Sequence, residues 1–170
     1  MLARTATIFK WTLYCAAGLL CMFVQWLVLN RLHIWGLIPF LYPLIVAIPS
    51  TMEGPLFGSA YGLVFGVLSD LLLPAPIPCF YTLIFPFVGF CAGFISRNLI
   101  PVGLLCSLFA TMVSFFLTDL FHAIVFWAQN QAAWRAAAWV GVREFCITLP
   151  LILLITPLFG WVYRTVHQDD

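Results

Sequence analysis

Apolar residues fill most of this chain in long runs, which short stretches of prolines and of charged and other polar residues separate. A helix needs about 20 such residues to cross the hydrocarbon core of a bilayer. We therefore predict an all-α polytopic membrane protein, with six transmembrane helices in one compact bundle and a single integral membrane domain. The predicted spans are approximately 9–29, 37–50, 55–73, 79–96, 102–127 and 145–163.

The second predicted span is shorter than the others and contains Pro39, Pro43 and Pro49. Proline lacks a backbone N–H and clashes with the preceding helical turn. Irregular backbone is tolerated at membrane depth only where protein or water satisfies its polar groups. We therefore expect the second helix to be bent or broken, at a place where neighbouring protein satisfies the freed carbonyls.

Composition supports the membrane class and excludes others. Hydrophobic residues make up 64% of the chain, charged residues make up 8%, and the mean hydropathy is +1.09. Too few polar residues remain to cover a soluble globule of this length. The formal net charge is +1 and there is no run of basic residues, so we predict no binding to nucleic acid.

Six spans place both termini on one side of the membrane, and basic residues are more frequent in cytoplasmic loops. If the termini are inside, the inner charges are Arg4, Lys10, Arg97 and Arg164, and the outer charges are Arg31, Arg135 and Arg143. This bias favours cytoplasmic termini.

A stripe of small residues marks the third span, where glycines recur at every fourth position and lead to one carboxylate. Such a stripe lets another helix approach closely in lipid, and an acid in a membrane usually faces protein or a water-filled cavity. A second pair of glycines lies in the fourth span. We predict a partner-helix binding surface made of Gly58, Gly62, Gly66 and Asp70, extended by Gly89 and Gly93. In the alternative interpretation the spacing is accidental and Asp70 forms a salt bridge near the level of Arg31.

The fifth span has one weakly polar face, since Ser107, Thr111, Ser114, Thr118 and His122 recur at steps of three or four. Asp119 lies three residues before His122, within reach on the helix surface. Asp119, His122 and Thr118 are therefore candidates for an intramembrane polar node, either a proton relay or an anchor for another subunit. Alternatively, Asp119 pairs with Arg135 or Arg143 and only stabilises the bundle.

The segment between the last two predicted spans contains Trp134 and Trp139, and Trp127 lies just before it. Because tryptophan favours the headgroup level of a bilayer, we predict an interfacial helix over 129–144. A contact with the outer domain of a partner is the alternative.

Motifs of the common catalytic sites are absent from the sequence, including G-x-S-x-G, H-E-x-x-H and the phosphate-binding loop. The cysteines are scattered without a C-x-x-C pair, and the histidines are dispersed. We predict no catalytic residues, no metal site and no cofactor, and hence a protein that is not an enzyme.

The chain resembles the bacterial rod shape-determining protein MreD family. The segment Gly58-Ser-Ala-Tyr-Gly62-Leu-Val-Phe-Gly66-Val-Leu-Ser-Asp70-Leu is similar to the family's G-x-x-x-G-x-x-x-D-L core. The resemblance extends to Leu117-Thr-Asp119 with the aromatic residues after it, and to Pro157-Leu-Phe followed by Arg164. It covers nearly the whole chain, although Pro74-Ala-Pro-Ile-Pro78 replaces the Gly-containing turn that the family often has after the acid.

The resemblance implies a multi-pass protein of the bacterial cytoplasmic (inner) membrane and a non-enzymatic scaffold of the cell-wall elongation complex. It also implies direct binding of the single-span protein MreC, with the glycan polymerase RodA, its transpeptidase and cytoplasmic MreB filaments as further possible partners. A different class has similar length and helix number: the vitamin-binding subunit of an energy-coupling-factor transporter. Such a subunit needs a polar outer cavity, which few outer side chains here could line.

Overall fold

The computed structural model describes the backbone of residues 2–31, 36–129 and 134–166, and the side chains of 7–31, 36–129 and 139–166. These residues form six α-helices and one short 3₁₀ turn at Leu29–Arg31. The helices are α1 (Leu2–Leu27), α2 (Tyr42–Glu53), α3 (Pro55–Leu72), α4 (Phe80–Asn98), α5 (Leu104–Ala128) and α6 (Trp134–Val166).

Five stretches of the described chain are long and apolar enough to cross a membrane, which confirms a helical, multi-pass membrane protein. They are Thr7–Arg31, Pro55–Leu72, Phe80–Asn98, Leu104–Ala128 and Trp139–Val166. The helix α2 has only 12 residues and is too short to cross alone. The six-span count and the cytoplasmic position of the termini stay predictions.

The short helix α2 lies at the centre of the bundle. Each residue from Tyr42 to Thr51 is buried, and α2 contacts all five other helices. A helix that is apolar on every side is typical of a buried position. The second predicted span is therefore a core element, and the long helices surround it.

An irregular stretch over 37–41 precedes α2, as the prolines predict. The side chain of Gln25, on α1, donates a 2.8 Å hydrogen bond to the carbonyl of Pro39 and accepts a 3.0 Å bond from the N–H of Leu41. The N–H of Phe40 donates to the hydroxyl of Thr148 on α6, at 3.2 Å. Side chains of α1 and α6 thus form hydrogen bonds with backbone groups of this stretch that have no partner within a helix.

The last helix is longer than predicted, because α6 begins at Trp134 rather than near residue 145. The expected interfacial helix over 129–144 is therefore wrong as a separate element. Its described part forms the first turns of α6, and residues 130–133 lie outside the described chain. Alanine has the highest helix propensity, so the alanines at 136–138 favour this extension.

Aromatic side chains fill the space where α1, α3 and α6 meet. The ring centroids of Tyr61 and Phe65 lie 4.5 Å apart, and Tyr14 stacks on Phe159 at 6.3 Å. Each of these four side chains is at most 1% exposed. Large rings therefore occupy this part of the interior.

Candidate functional site

The glycine stripe of α3 faces α4 of the same chain. A methyl group added at Gly62 would lie 2.6 Å from the carbonyl carbon of Phe85, and one added at Gly66 would lie 2.6 Å from the carbonyl oxygen of Tyr81. A methyl at Gly89 would meet the Cα of Gly58 at 3.2 Å. The stripe therefore brings two antiparallel backbones into direct contact.

The second glycine pair belongs to the same contact, since Gly93 lies against Pro55 at the start of α3. The prediction that Gly58, Gly62, Gly66, Gly89 and Gly93 form an open surface for a partner's helix is therefore wrong. The pattern correctly indicated close helix packing. The helix that packs there is the chain's own α4.

Asp70 caps the beginning of α4. Its two carboxylate oxygens accept hydrogen bonds from the N–H groups of Tyr81 and Thr82, at 2.9 and 2.8 Å, and from the Thr82 hydroxyl at 2.6 Å. The first N–H groups of a helix lack partners within the helix and carry a partial positive charge. The residue before α4, Cys79, offers no side-chain cap, so Asp70 supplies one from the neighbouring helix.

Neither sequence interpretation of Asp70 describes this role. The donors to its carboxylate come from α4, not from a partner's helix and not from Arg31. The strong signal in the sequence was the fixed spacing from the glycines to the acid. Because Gly66 and Asp70 lie one turn apart, the surface that packs on α4 ends at the first turn of α4.

Four side chains on the polar face of α5 are buried, namely Ser107, Thr111, Ser114 and Thr118, and that of His122 is half-buried. Three of its hydroxyls donate to the carbonyl one turn earlier: Thr111 to Ser107 at 2.6 Å, Ser114 to Ala110 at 2.7 Å, and Thr118 to Ser114 at 2.8 Å. This back-bonding is how Ser and Thr satisfy themselves inside a helix. The donors of Thr111, Ser114 and Thr118 are thus used within α5.

Asp119 and His122 do not form the predicted pair. His122 hydrogen-bonds the carbonyl of Thr118 at 3.0 Å, and its ring lies 4.3 Å from that of Phe80. Asp119 instead points towards α6, where its Cγ would lie 3.0 Å from a methyl group added at Gly141. The two groups therefore serve different neighbours, and the arrangement does not favour a relay between them.

The expected ion pair of Asp119 is not formed with Arg143. The guanidinium of Arg143 lies over the ring of Trp139, 5.1 Å from its centroid. The side chain of Arg135 lies outside the described residues. Within the described part of the chain, the carboxylate of Asp119 has no hydrogen-bond donor or cation as a partner.

Sequence reasoning did not single out Glu144, which lies on α6 near Asp119. The two carboxylates interact electrostatically, and Tyr81 on α4 interacts with both Glu144 and Asp70. Three helices thus bring Asp70, Asp119 and Glu144 to one end of the bundle, which we call the acidic end. The available signal was a lone glutamate next to an apolar run, and membrane acids are functional candidates by default.

A second polar cluster, also missed, lies where α2 ends. Lys10 on α1 forms an ion pair with Glu53, whose side chain is 5% exposed. The hydroxyl of Tyr14 donates a 2.9 Å hydrogen bond to Glu53, and the hydroxyl of Tyr61 donates to the carbonyl of Tyr14 at 3.1 Å. Here, in contrast to Asp119 and Glu144, the carboxylate has a partner for each of its two oxygens.

No group of three or more potential metal ligands occurs among the residues that the structure describes. No family model matches the chain, and searches of curated proteins and of solved structures also find no match. The resemblance to MreD therefore rests on the short motifs quoted above.

Proposed function

We propose that this protein is a non-enzymatic scaffold subunit of the bacterial cell-wall elongation complex in the inner membrane. It binds the single-span protein MreC and holds it near RodA and the associated transpeptidase. These partners are the ones that the resemblance to the MreD family implies. The observation that carries the proposal is that the polar side chains of Gln25, Glu53 and Asp70 are already hydrogen-bonded within the chain. Among the described residues, the hydroxyl of Thr156 is the one buried side-chain group without a partner.

The filled interior supports a scaffold over a vitamin-binding transporter subunit. The helix α2 occupies the centre. The polar side chains of Gln25, Glu53 and Asp70 are hydrogen-bonded to other parts of this chain. A vitamin-sized ligand needs a cavity with a few convergent polar groups, and in the described residues these groups have internal partners. Function then lies on the outer surface of the bundle.

Because α4 covers the glycines, the partner's helix must bind elsewhere. Asp119 and Glu144 are partly exposed and lack a hydrogen-bond donor in the described chain. A carboxylate in a membrane is stabilised by a donor or a cation from a neighbouring helix. We therefore assign the partner's helix to the junction of α5 and α6, with a donating side chain near these acids.

Site-specific photocrosslinking in cells tests this assignment. A photoreactive residue at Phe116 on α5 should crosslink to MreC, whereas one at Leu63 on α3 should not, although these side chains are 65% and 50% exposed. Crosslinking from Leu63 alone would move the interface to α3. No crosslink to MreC from any exposed helix would contradict the proposed function itself.

Mass spectrometry of the complex separates the two function classes. The protein purified from its host membrane should carry a single-span protein and no stoichiometric vitamin-sized ligand. Depletion of the protein should turn rod-shaped cells round. A bound vitamin together with normal cell shape would favour the transporter subunit.

A further inference from the structure

One face of α6 outside the acidic end lines an open cavity of about 520 Å³. Its lining residues Trp139, Val142, Arg143 and Cys146 recur at steps of three, one and three, so they share one side of the helix. All four are exposed. Among the described residues, the lining thus combines one cation, one indole ring and two small apolar side chains.

The positive charge in this cavity is not neutralised by the nearby acids. Glu144 follows Arg143 directly, but it interacts with Tyr81 and Asp119, which lie on other helices of the bundle. The guanidinium of Arg143 instead lies 5.1 Å from the ring centroid of Trp139. Among the described carboxylates, Arg143 has no ion-pair partner, so its planar set of donors remains available on the outer surface.

Contacts between helices place Arg143 near the end of the bundle at which α4 begins. Gly141 lies beside Asp119, which is one turn from His122 on α5, and His122 packs on Phe80, the first residue of α4. Arg143 therefore lies within about two helical turns of the level at which α4 begins.

The side chain of Arg143 reaches back along α6 towards Trp139, four residues earlier. Long basic side chains extend in this way to bring their charge to the membrane surface. Tryptophan also favours the headgroup level. We therefore expect the guanidinium to reach the level of the lipid phosphates.

We propose that this face of α6 binds a membrane phospholipid, with its phosphate on Arg143 and one acyl chain along Val142 and Cys146. The planar guanidinium suits two phosphate oxygens at once. The apolar part of the cavity offers van der Waals contact to the chain. This site is on a different face from Glu144, and it does not depend on the proposed protein partner.

Native mass spectrometry of the delipidated protein in detergent tests the site. Phosphatidylglycerol and phosphatidylcholine should be retained better than diacylglycerol, which has the same chains without a phosphate. Arg143→Gln should lower retention about fivefold, as expected for the loss of one basic residue near lipid phosphates. Arg164→Gln, at the exposed far end of the same helix, should leave retention unchanged. Arg143→Lys should give an intermediate value.

A second variant keeps the charge and fills the space. Val142→Trp should also lower retention, while the elution volume and melting temperature stay those of the wild type. Equal retention by Arg143→Gln and Arg164→Gln, equal retention of diacylglycerol, or wild-type retention by Val142→Trp would each overturn the proposal. Full displacement of the lipid by inorganic phosphate would show a free-phosphate site and would overturn it as well.

Discussion

The contact between α3 and α4 differs in kind from the contact between α5 and α6. In the first, glycines remove the side chains and bring backbone against backbone, and Asp70 closes the contact with hydrogen bonds. In the second, side chains such as Phe115 and Phe145 separate the helices, with ring centroids 5.6 Å apart. At the first contact the carboxylate of Asp70 is fully hydrogen-bonded, whereas at the second the carboxylates of Asp119 and Glu144 have no donor in the described chain. The tight α3–α4 contact thus stabilises the bundle, and polar groups remain available at the looser α5–α6 contact.

The largest expected effect comes from Gly62→Leu, because the new side chain would meet the backbone of Phe85, which cannot move aside. We expect a loss of about 3 kcal/mol or more, at or above the upper range for overpacking. Denaturant unfolding in detergent measures it. Ala60→Leu, on the exposed side of α3, is the matched control and should be near neutral. A wild-type stability for Gly62→Leu would break the comparison.

Asp70→Ala should lower stability by about 1–2 kcal/mol, the usual cost of losing a helix cap. The amides of Tyr81 and Thr82 should then exchange hydrogen faster than those in the middle of α4. Asp70→Asn should lose less, since one amide oxygen can still accept. If amide exchange in the first turn of α4 is unchanged in Asp70→Ala, the cap contributes nothing.

Gly141→Ala tests the looser contact with a methyl group. The new methyl would meet the end of the Asp119 side chain rather than backbone, and a side chain can turn away. We expect a loss below about 1 kcal/mol and a smaller loss when Asp119→Ala is already present. Thermal melting of both single variants and of the double variant gives this coupling. Equal losses for Gly141→Ala and Gly62→Ala would remove the distinction between the two contacts.

The smallest effect on stability is expected for Asp119→Asn. Removing one of two neighbouring acids lessens their repulsion, so stability should stay within about 0.5 kcal/mol of the wild type or rise slightly. Retention of MreC should nevertheless fall in a pull-down. A strongly destabilised Asp119→Asn would instead mean that this carboxylate stabilises the bundle by itself.

The glycine stripe shows how far spacing alone can lead. Its period predicts a face that another helix approaches closely, and the structure confirms such an approach. Spacing does not identify the approaching helix, because an intrachain neighbour and a partner's helix require the same smooth surface. The same limit applies to Asp70. Its carboxylate oxygens accept hydrogen bonds from the N–H groups of Tyr81 and Thr82, which lie beyond the irregular segment that follows α3.

Longer-range pairs were harder to predict. Lys10 and Glu53 are 43 positions apart, and each alone resembles a charge that flanks an apolar run. Their contact depends on α2 being inserted at the centre of the bundle, which only the assembled helices define. Asp119 and Glu144 are likewise brought together by the packing of α6 on α5.

By itself the sequence determined that this chain is a helical membrane protein, where the apolar parts of its long helices lie and that proline interrupts the segment before α2. Hydropathy and backbone chemistry are local properties, so each segment carries that information independently. Tertiary structure decided which polar and small residues are used inside the bundle and which remain outside. The use of each residue depends on which helix faces pack against each other, and a given helix face is complementary to more than one neighbour.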